Sequence, residues 1–350
     1  MYVIIPMSGV GKRFTDAGYT VPKPLIEVDG KPMIHHVVNL FDEDKYVFIC
    51  NEYHLNNTDM REIILSRVPD AEIISINRHK KGPVFALKSI FGKLNQDEEV
   101  IVNYCDVSKY WDYKGFLQDV RSKNSDGALS AHRGFHPHML GTDNYAFMRS
   151  DEEMRMVEIK EKMPFTDDRM NEFASDGTYY FRTVSLMEKY CQLLMDGSEG
   201  IKGEHYVSMA YNGMVGDGLK VSIYEIDHML QWGTPKDLEE YNSWSSYFKN
   251  QISYRRGKMK ASTVMMPLAG RGERFVGYDK PKPLIEISGK PMVVQARGCL
   301  PDAERTVFVC LEEHYNFLEE WLDGDIIRLP DVTDGQACTC ERGVTLGGID

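Results

Sequence analysis

The chain has 350 residues, enough for one large domain and part of a second, and its apolar content of 42% is that of an ordinary globular protein. Its formal net charge of −12 argues against a nucleic-acid-binding surface and against an anionic membrane partner. We expect no signal peptide, because a polar, charged loop follows the first strand directly, and we expect no membrane-spanning helix. Seven scattered cysteines suit a reduced protein, so the composition predicts a cytoplasmic location.

The first stretch with a chemical signature begins the chain. Residues 2–6 form an apolar, β-branched run that predicts a buried strand. Glycines in the next turn would let backbone N–H groups approach an anion, and the helix expected after the turn would add its positive end. We therefore predict a polyphosphate-binding loop, with a simple strand-to-helix turn as the alternative. The residues of this loop, and a third cation between two prolines, are Ser8, Gly9, Val10, Gly11, Lys12, Arg13 and Lys23.

Two familiar glycine motifs do not fit this loop. A P-loop would need Gly at Pro6 and Ser or Thr at Arg13. A dinucleotide-binding turn would need a small residue at Phe14. The loop therefore indicates another kind of nucleotide site.

The same stretch occurs a second time near residue 263. The glycines and cations at 9, 11, 13 and 23 are repeated, in the same order, as Gly270, Gly272, Arg274 and Lys282. The likeness continues through residues 289–292 and 307–310, which match 30–33 and 47–50. This distance is not a solenoid period, so the repeat predicts two copies of one domain start.

Strand and helix patterns alternate after the first loop. The strand patterns lie at 45–50, 71–76 and 99–106, and the helix patterns lie at 32–41, 59–68 and 82–90. This alternation predicts an α/β fold, Rossmann-like, with a mostly parallel mixed sheet flanked by helices. Ligands in such folds bind at the carboxyl ends of the strands, where both the glycine loop and Asp106 are expected.

The later part of the chain has shorter and less regular patterns. Strands are predicted at 127–132, 145–148, 157–162, 177–181 and 219–226, and helices at 184–195, 203–213 and 235–247. A polar, basic run without clear periodicity follows. We therefore predict a first domain at 1–248, a linker at 249–260 and a partial second domain at 261–350.

Charged side chains recur at the predicted strand ends. A carboxylate at Asp106 can hold Mg2+ against nucleotide phosphates, although a helix N-cap is the alternative. Glu161 and Lys162 close an alternating strand, where Lys162 could face a substrate phosphate or the pair could be a solvated edge. The turn that begins at Gln231 contains Thr234, which is placed to cap the next helix, and a helix start alone would also explain it.

These parts together predict nucleotidyl transfer, in which an NTP and a phosphorylated acceptor give an NDP-acceptor and pyrophosphate. The phosphate of the acceptor is already anionic near neutral pH, so the site needs charge neutralisation and alignment rather than a general base. Lys23 could stabilise charge that develops at the α-phosphorus, while a solvated loop cation is the alternative. Its repetition as Lys282 between the same two prolines favours the functional role.

Residues 1–248 resemble the sugar-phosphate nucleotidyltransferases, a family with a GT-A-like fold. The matches are the glycine loop, Pro22 to Leu25, the strand ending at Asp106, Glu161–Lys162, Gly177-x-Tyr179 and Gly233 to Pro235. The resemblance implies that the loop and Gly82 bind the nucleotide, that Arg13 grips the leaving pyrophosphate and that Lys23 acts at the α-phosphate. It also implies Mg2+ on Asp106 and acceptor binding by Glu161, Lys162, Gly177 and Thr178.

Two features depart from that family. The usual second metal ligand is an Asp at the position of Gln231, whose amide binds Mg2+ more poorly, and Asp227 could substitute for it. Residues 224–227 also resemble cytidylyltransferases for phosphocholine-like acceptors, so a non-sugar acceptor stays open. The product would otherwise be a precursor of a surface polysaccharide such as a capsule.

The second copy reaches residue 350 without a counterpart of Asp106 or of the acceptor half. We therefore expect this degenerate second site to bind nucleotide weakly or not at all and to do no chemistry. An open sheet edge there would need cover from the first domain or from another chain, which makes a homo-oligomer one of two arrangements.

Two other classes of protein compete with the enzyme hypothesis. A non-catalytic nucleotide sensor or scaffold is favoured by Gln231 and by the incomplete repeat. A glycosyltransferase that consumes nucleotide-sugar would want an Asp-x-Asp at the end of the fourth strand, and residues 105–107 do not supply one. The expected partners are thus an NTP and a phosphorylated small molecule, with neither nucleic acid nor a membrane.

Overall fold

In the computed structural model, which describes residues 1–43, 45–141, 144–197, 199–256, 260–275 and 277–349, the chain divides into two units. These units are Met1–Ser245 and Ser246–Asp350. The division lies near residue 248, where the sequence predicts the first domain to end. Each unit is described by itself.

The first unit is built around one large mixed sheet. Its central strand, β1, pairs in parallel with β4 on one side and with β6 on the other, and β4 pairs in parallel with β5. The long strand β11 joins antiparallel strands to this parallel core. The strands of the unit are β1 (Tyr2–Met7), β2 (Glu27–Val28), β3 (Lys31–Pro32), β4 (Lys45–Asn51), β5 (Glu72–Ile76), β6 (Val100–Asn103), β7 (Val107–Tyr110), β8 (Gly127–His132), β9 (Ala146–Ser150), β10 (Met156–Glu161), β11 (Phe173–Phe181), β12 (Val221–Glu225) and β13 (His228–Gln231).

The strand order in this sheet is β10-β9-β11-β6-β1-β4-β5, with β8 pairing to both β11 and β12. Strand β1 is apolar throughout because the sheet is covered on both faces. Val3 and Ile5 pack into one hydrophobic cluster, Ile4 packs into the cluster on the opposite face, and all three side chains are fully buried. The loop after β1 therefore leaves the sheet from a rigid, buried strand.

Helices cover the faces of the sheet. Helix α6 is amphipathic and buries Phe116, Leu117 and Val120, while Asp112 caps its first turn through Gly115 N–H at 2.9 Å. The helices that begin in the first unit are α1 (Lys12–Asp16), α2 (Met33–Val38), α3 (Glu52–Asn57), α4 (Met60–Arg67), α5 (Pro83–Leu87), α6 (Tyr113–Ser122), α7 (Val184–Gly197), α8 (Ala210–Gly216) and α9 (Pro235–Arg256), the last of which continues into the second unit.

Helix α9 differs from its sequence prediction. The expected N-cap is present, because Thr234 Oγ1 accepts a hydrogen bond from Asp237 N–H and Asp237 Oδ2 accepts one from Thr234 N–H. The helix then continues to Arg256, so most of the predicted linker at 249–260 is helical. An exposed helix needs no apolar periodicity, which is why the pattern did not reveal it. Residues 257–259 of that segment lie outside the described residues.

A two-stranded antiparallel ribbon of β7 and β13 also lies outside the predicted elements. Its register pairs Gln231 with Val107 and His228 with Tyr110. Strand β6 ends at Asn103, so Asp106 lies in the turn between β6 and β7 rather than at the end of a strand. Asp106 directly precedes β7, and the register pairs its neighbour Val107 with Gln231, so the ribbon brings Asp106 and Gln231 close together.

The second unit repeats the first few elements on a smaller scale. Strands β14 and β17 pair in parallel, as β1 and β4 do, and β17 pairs in parallel with β18. Its elements are β14 (Lys260–Pro267), β15 (Glu286–Ile287), β16 (Lys290–Pro291), α10 (Met292–Gly298), β17 (Asp302–Leu311), α11 (Tyr315–Leu318), β18 (Asp325–Leu329) and α12 (Gln336–Gly347). Among the described residues of both units, no helix combines the length and apolarity needed to cross a membrane.

Three histidines form a buried cluster at the end of β8 in the first unit. The ring centroid of His132 lies 4.6 Å from that of His136 and 5.6 Å from that of His138. His132 is fully buried, and neither of its ring nitrogens has a hydrogen-bond partner among the described residues. Burial lowers the pKa of all three rings, that of His138 to about 4, and the neighbouring rings and Lys109 lower the pKa of His132 further.

This cluster predicts that the free energy of unfolding falls as the pH falls. Unfolded histidines titrate near pH 6.5, whereas the folded rings take up protons only at lower pH, so the unfolded state binds more protons in that window. The stabilisation is complete above pH 6.5, and the part due to His138, up to about 3 kcal/mol, is lost as the pH falls toward 4. Urea unfolding at pH 7.5 and pH 5 measures the difference. A His132→Leu variant should show a smaller difference than the native chain, and an equal one would contradict this assignment.

Candidate active site

The glycine loop lies directly after β1, as the sequence predicts. Gly11 adopts a φ of +61°, and a β-carbon there would lie 3.5 Å from Lys23 Cβ, so the turn packs closely against the Lys23 segment. Ser8 is buried, and its hydroxyl forms a 3.0 Å hydrogen bond with His79 Nε2. Arg13 is exposed. The start of the loop is thus held in place by this hydrogen bond, whereas the long side chain of Arg13 is exposed.

Lys23 is the most constrained cation of the site. Its ammonium donates to the Asp106 carboxylate and, at 2.9 Å, to the Gly233 carbonyl. It also lies 5.3 Å from the ring centroid of buried Phe14. Only 17% of the Lys23 side chain and 22% of the Asp106 side chain are exposed, so the pair is shielded from solvent. Three distant segments therefore meet at this ammonium group.

Gly82 marks a close approach of two chain segments beside the loop. It has a φ of +82°, and a β-carbon at this residue would lie 2.6 Å from the His205 carbonyl oxygen. His205 also accepts a hydrogen bond from Val84 N–H at 3.2 Å, and its own N–H donates to Lys81 O. Only glycine fits this position, because both the φ and the lack of space exclude a side chain.

Glu161 and Lys162 line the same cavity as the glycine loop, at the end of β10. Lys162 donates to the Tyr206 hydroxyl, which in turn donates to Glu204. Ser208 donates to Glu161 at 2.6 Å. Burial lowers the pKa of Lys162 and raises that of Glu161. Lys162 thus belongs to a hydrogen-bonded group rather than to a solvated edge.

Strand β11 places Gly177 against Tyr104 at the wall of the cavity. Gly177 has a φ of +89°, and its carbonyl accepts a hydrogen bond from Tyr104 N–H at 3.1 Å. The preceding residue, Asp176, forms a fully buried ion pair with Lys109 at 2.8 Å and accepts from Ser130. This buried pair fixes the chain beside Gly177.

The structure does not bring Thr178 to the cavity, although the sequence predicts that it contacts the acceptor. Thr178 is fully buried and does not line the cavity. Its hydroxyl donates to Asn103 Oδ1 and accepts from Lys109 Nζ, both at 2.5 Å. These buried hydrogen bonds occupy the hydroxyl, whereas the neighbouring Asp176, Gly177 and Tyr179 line the cavity.

Gln231, and not Asp227, is the residue beside Asp106. The side-chain amide of Gln231 and the carboxylate of Asp106 lie 2.6 and 3.4 Å, respectively, from the position that a Gly233 β-carbon would occupy. Asp227 precedes β13 and is exposed, and the antiparallel register places it past Tyr110, four residues or about 13 Å from Gln231. The structure therefore brings Gln231, and not Asp227, next to Asp106.

The surroundings of Asp106 fit a divalent cation held jointly with a ligand. Gln231 Oε1 is buried and has no hydrogen-bond partner among the described residues, so an acceptor oxygen is left available beside the carboxylate. Mg2+ is commonly bound by one or two carboxylates and substrate phosphates. Asp106 and the Gln231 amide oxygen are the residues that would hold it.

A single cavity of about 520 Å³ brings these groups together. The glycine loop, Gly82, the Lys23–Asp106 pair and the group around Lys162 all line this one cavity. The predicted site residues that line it are Ser8, Gly9, Val10, Gly11, Lys12, Arg13, Lys23, Gly82, Asp106, Glu161, Lys162, Gly177 and Gln231.

Several lining residues were not predicted from the sequence. Tyrosine side chains at 104, 145, 179 and 206, together with Glu204, complete the wall near Lys162. Tyr145 also accepts or donates a 2.7 Å hydrogen bond at His138 Nδ1, which links the buried histidine cluster to the cavity wall. Tyr179 lies in the aromatic strand predicted at 177–181. The others lie in stretches that the sequence predicts as strands or a helix, and periodicity alone does not show that their side chains reach a cavity.

The second copy of the loop lines a cavity of its own in the second unit. This cavity measures about 640 Å³, and Gly270, Gly272, Arg274 and Lys282 are among its lining residues. The Lys282 ammonium lies 5.3 Å from the ring centroid of Phe275, the distance found for Lys23 and Phe14. The local geometry of the loop is therefore repeated as well as its sequence.

Comparison with known proteins identifies the class to which this site belongs. The family model of nucleotidyl transferases matches residues 2–207, so the chain belongs to that family. One relative, a D-glycero-alpha-D-manno-heptose 1-phosphate guanylyltransferase of Aneurinibacillus thermoaerophilus, is 28% identical over 29% of this chain. The match spans 45% of that relative, so the chain covers less than half of its length.

Solved structures confirm the predicted fold class. The nucleoside-diphosphate-sugar pyrophosphorylase of Vibrio cholerae RC9 has a TM-score of 0.57 at 21% identity, covering 69% of this chain and 99% of its own. The inositol-1-phosphate CTP transferase of T. maritima has a TM-score of 0.53 at 16% identity, covering 70% of this chain and 94% of its own. The fold is thus the GT-A-like α/β fold with a mixed sheet.

Gly82 provides a test of the cavity geometry. We expect Gly82→Ala to weaken nucleotide binding about tenfold, a loss of about 1.4 kcal/mol, because the added carbon would separate the 82 and 205 segments. Gly92→Ala is the matched control, since Gly92 also has a positive φ, +70°, but has open space around it. Calorimetric nucleotide titration of both variants makes the comparison. Equal affinities in the two variants would show that the close approach has no role.

Proposed function

We propose that the first unit couples an NTP to a phosphorylated acceptor and releases pyrophosphate. The observation that carries this proposal is the Lys23–Asp106 pair, which lines the same cavity as the glycine loop and Lys162. Membership in the nucleotidyl transferase family supports the reaction type. If the protein were a degenerate sensor, the Lys23–Asp106 pair, the glycine loop and Lys162 would share a cavity without a catalytic role.

The charge distribution suits in-line transfer at the α-phosphorus. An oxygen of the acceptor phosphate would form the new P–O bond, while the bond between the α-phosphorus and the bridging oxygen breaks and pyrophosphate leaves. No proton has to be removed, because the attacking phosphate is already ionised near neutral pH. The protein therefore contributes alignment and positive charge.

Each cation has a distinct place in this proposal. The backbone N–H groups at Gly9 and Gly11 would hold the nucleotide phosphates, and exposed Arg13 would bind the leaving pyrophosphate. Lys23, whose ammonium donates to the Gly233 carbonyl, would stabilise charge on the α-phosphate. Lys162 would hold the phosphate of the acceptor.

Mg2+ is proposed as the cofactor, held by Asp106 and the Gln231 amide oxygen. When bound, it would supply Lewis-acid neutralisation of phosphate charge. Asp106 would then exchange its pairing with the Lys23 ammonium for the metal. That exchange leaves Lys23 available for the α-phosphate.

We propose a sugar 1-phosphate as the acceptor and an activated precursor of a surface polysaccharide as the product. The guanylyltransferase relative, whose name specifies a heptose 1-phosphate, supports a sugar. A second candidate is an acceptor with a cationic group, such as a phosphocholine-like molecule used with CTP. The carboxylates of Glu161 and Glu204 and the tyrosines around them favour it. Seven free cysteines fit a reducing, cytoplasmic setting.

Pyrophosphate release tests the function directly. The full chain is incubated with Mg2+, each of the four NTPs and a panel of sugar 1-phosphates, inositol phosphate and phosphocholine. Release that requires one NTP and one acceptor is the expected result, and the acceptor decides between the two candidates. Tight NTP binding with no release across the panel would favour the sensor instead.

We expect Asp106→Asn to reduce turnover by about 100-fold or more, because it removes the charge that holds the metal and orients Lys23. Asp70→Asn, a change at an exposed carboxylate outside the cavity, is the matched control and should leave turnover intact. Steady-state pyrophosphate assays measure both. Full activity in the Asp106→Asn variant would contradict the proposal that Asp106 holds the metal.

The two positions proposed from the sequence for the second ligand can be separated by mutation. Asp227→Asn should change turnover by no more than about twofold, as expected of a surface residue away from the cavity. Gln231→Asp should lower the Mg2+ concentration needed for half-maximal activity by about tenfold, because it adds a second carboxylate beside Asp106. Magnesium titrations of the two variants test these expectations. A large loss of turnover in Asp227→Asn, with no change in the Mg2+ requirement of Gln231→Asp, would indicate that Asp227 is the second ligand.

A further inference from the structure

We infer that the cavity of the second unit is a nucleotide-binding site in its own right, separate from the proposed transfer site. It would take the polyphosphate and base of a nucleoside di- or triphosphate. This inference replaces the sequence-based expectation of weak or absent binding. It rests on the proposed function only for the ligand class of the loop, because the same loop in the first unit is proposed to hold an NTP.

The backbone of the second loop is shaped as the first one is. Gly272 has a φ of +68°, against +61° for Gly11, and a β-carbon at Gly272 would lie 3.1 Å from Lys282 Cβ. The Lys282 segment is a short 3-10 helix after Pro281, as the Lys23 segment is after Pro22. Strand β14 leads into the loop and is paired along its length with β17. The strand, the glycine turn and the lysine segment are therefore repeated, while a 3-10 helix at Glu273–Phe275 follows the turn in place of α1.

The cations of this cavity are more available than those of the first. Among the described residues, neither Arg274 nor Lys282 has a carboxylate within ion-pair distance, whereas Lys23 is held by Asp106. Arg271, which also lines the cavity, is anchored by Glu313 and Asp331 at 3.1 Å each. An anion that enters this cavity thus meets cations without first displacing a carboxylate from them.

The opposite wall offers groups that suit a nucleoside. Helix α12 begins at Gln336 after Gly335, whose φ is +132° and whose missing side chain leaves open space. In the first unit the corresponding helix begins with Pro83, which has no N–H to donate. Gln336 adds both a backbone donor and a side-chain amide to the cavity wall, and Thr333 lies beside it. The second cavity can therefore hydrogen-bond a base edge in a way that the first cannot.

The remaining wall is apolar and adds area for a base or ribose. Met292, Val293 and Ala296 of α10 line the cavity together with Pro283. In the first unit, the corresponding Met33 is fully buried in a cluster with Trp232. The apolar face that Met33 buries in the first unit thus lines the cavity in the second.

The stoichiometry of nucleotide binding to the full chain tests the inference. Equilibrium dialysis is carried out with each of the four NTPs, the corresponding NDPs and pyrophosphate, with and without Mg2+. The variants are Arg274→Ala/Lys282→Ala, Arg13→Ala/Lys23→Ala and, as the control, Lys290→Ala, which removes an exposed cation outside the cavity. Thermal unfolding monitors folding, and Lys282→Gln replaces the double variant if it unfolds.

We expect two equivalents of nucleotide on the native chain and on Lys290→Ala, and one equivalent on either double variant. In the Arg13→Ala/Lys23→Ala variant, nucleotide should still slow hydrogen exchange at residues 268–283 and 333–339. One equivalent on the native chain with no effect of Arg274→Ala/Lys282→Ala would overturn the inference. Binding of pyrophosphate that no nucleotide displaces from the second unit would also overturn it.

Failure of this inference is distinguishable from failure of the proposed function. A chain that binds two equivalents, loses one with Arg274→Ala/Lys282→Ala and yet releases no pyrophosphate would keep the second site and refute the transferase. A chain that releases pyrophosphate but binds a single equivalent, unaffected by that double variant, would keep the transferase and refute the second site.

Discussion

The ion pair between Lys23 and Asp106 is the interaction on which the site of the first unit depends. It joins the segment after the glycine loop to the turn between β6 and β7, and the Gly233 carbonyl adds the start of α9. The pair is largely shielded from water, so breaking it without a replacement would leave an unpaired charge in a partly buried place. A bound polyphosphate with a divalent cation would supply new partners to both groups. Without ligand, the pair thus holds the segments of the site together, and both groups would change partners when the ligand binds.

Much of this arrangement could be predicted from the sequence because its signals are local. The loop after β1, the cation between two prolines and the glycine at 82 each depend on a few neighbouring residues, and all line one cavity. The parallel sheet follows from apolar runs that are buried on both faces. The two loops have nearly the same sequence, and the φ values of Gly11 and Gly272 show that they also have nearly the same backbone geometry at this glycine.

The differences between the structure and the sequence-based expectations concern relations between distant segments. Ribbon β7–β13 has only four residues in each strand and no long apolar run, so its register, which places Gln231 rather than Asp227 beside Asp106, had no local signal. The burial of Thr178 depends on a strand that pairs with three others and contains a register shift. The contact between Gly82 and His205 joins residues far apart in the chain. Such features follow from tertiary packing and not from periodicity.

The central claim is that this constellation transfers a nucleotidyl group rather than hydrolysing or merely binding an NTP. The most direct test follows the α-phosphate and the γ-phosphate of the NTP separately into the products. With a label on the α-phosphate of the preferred NTP, the account predicts label in a nucleoside diphosphate joined to the acceptor. With a label on the γ-phosphate, it predicts label in pyrophosphate, in equal amount. Label from the γ-phosphate in inorganic phosphate or on the acceptor itself, with no α-label on the acceptor, would contradict the account.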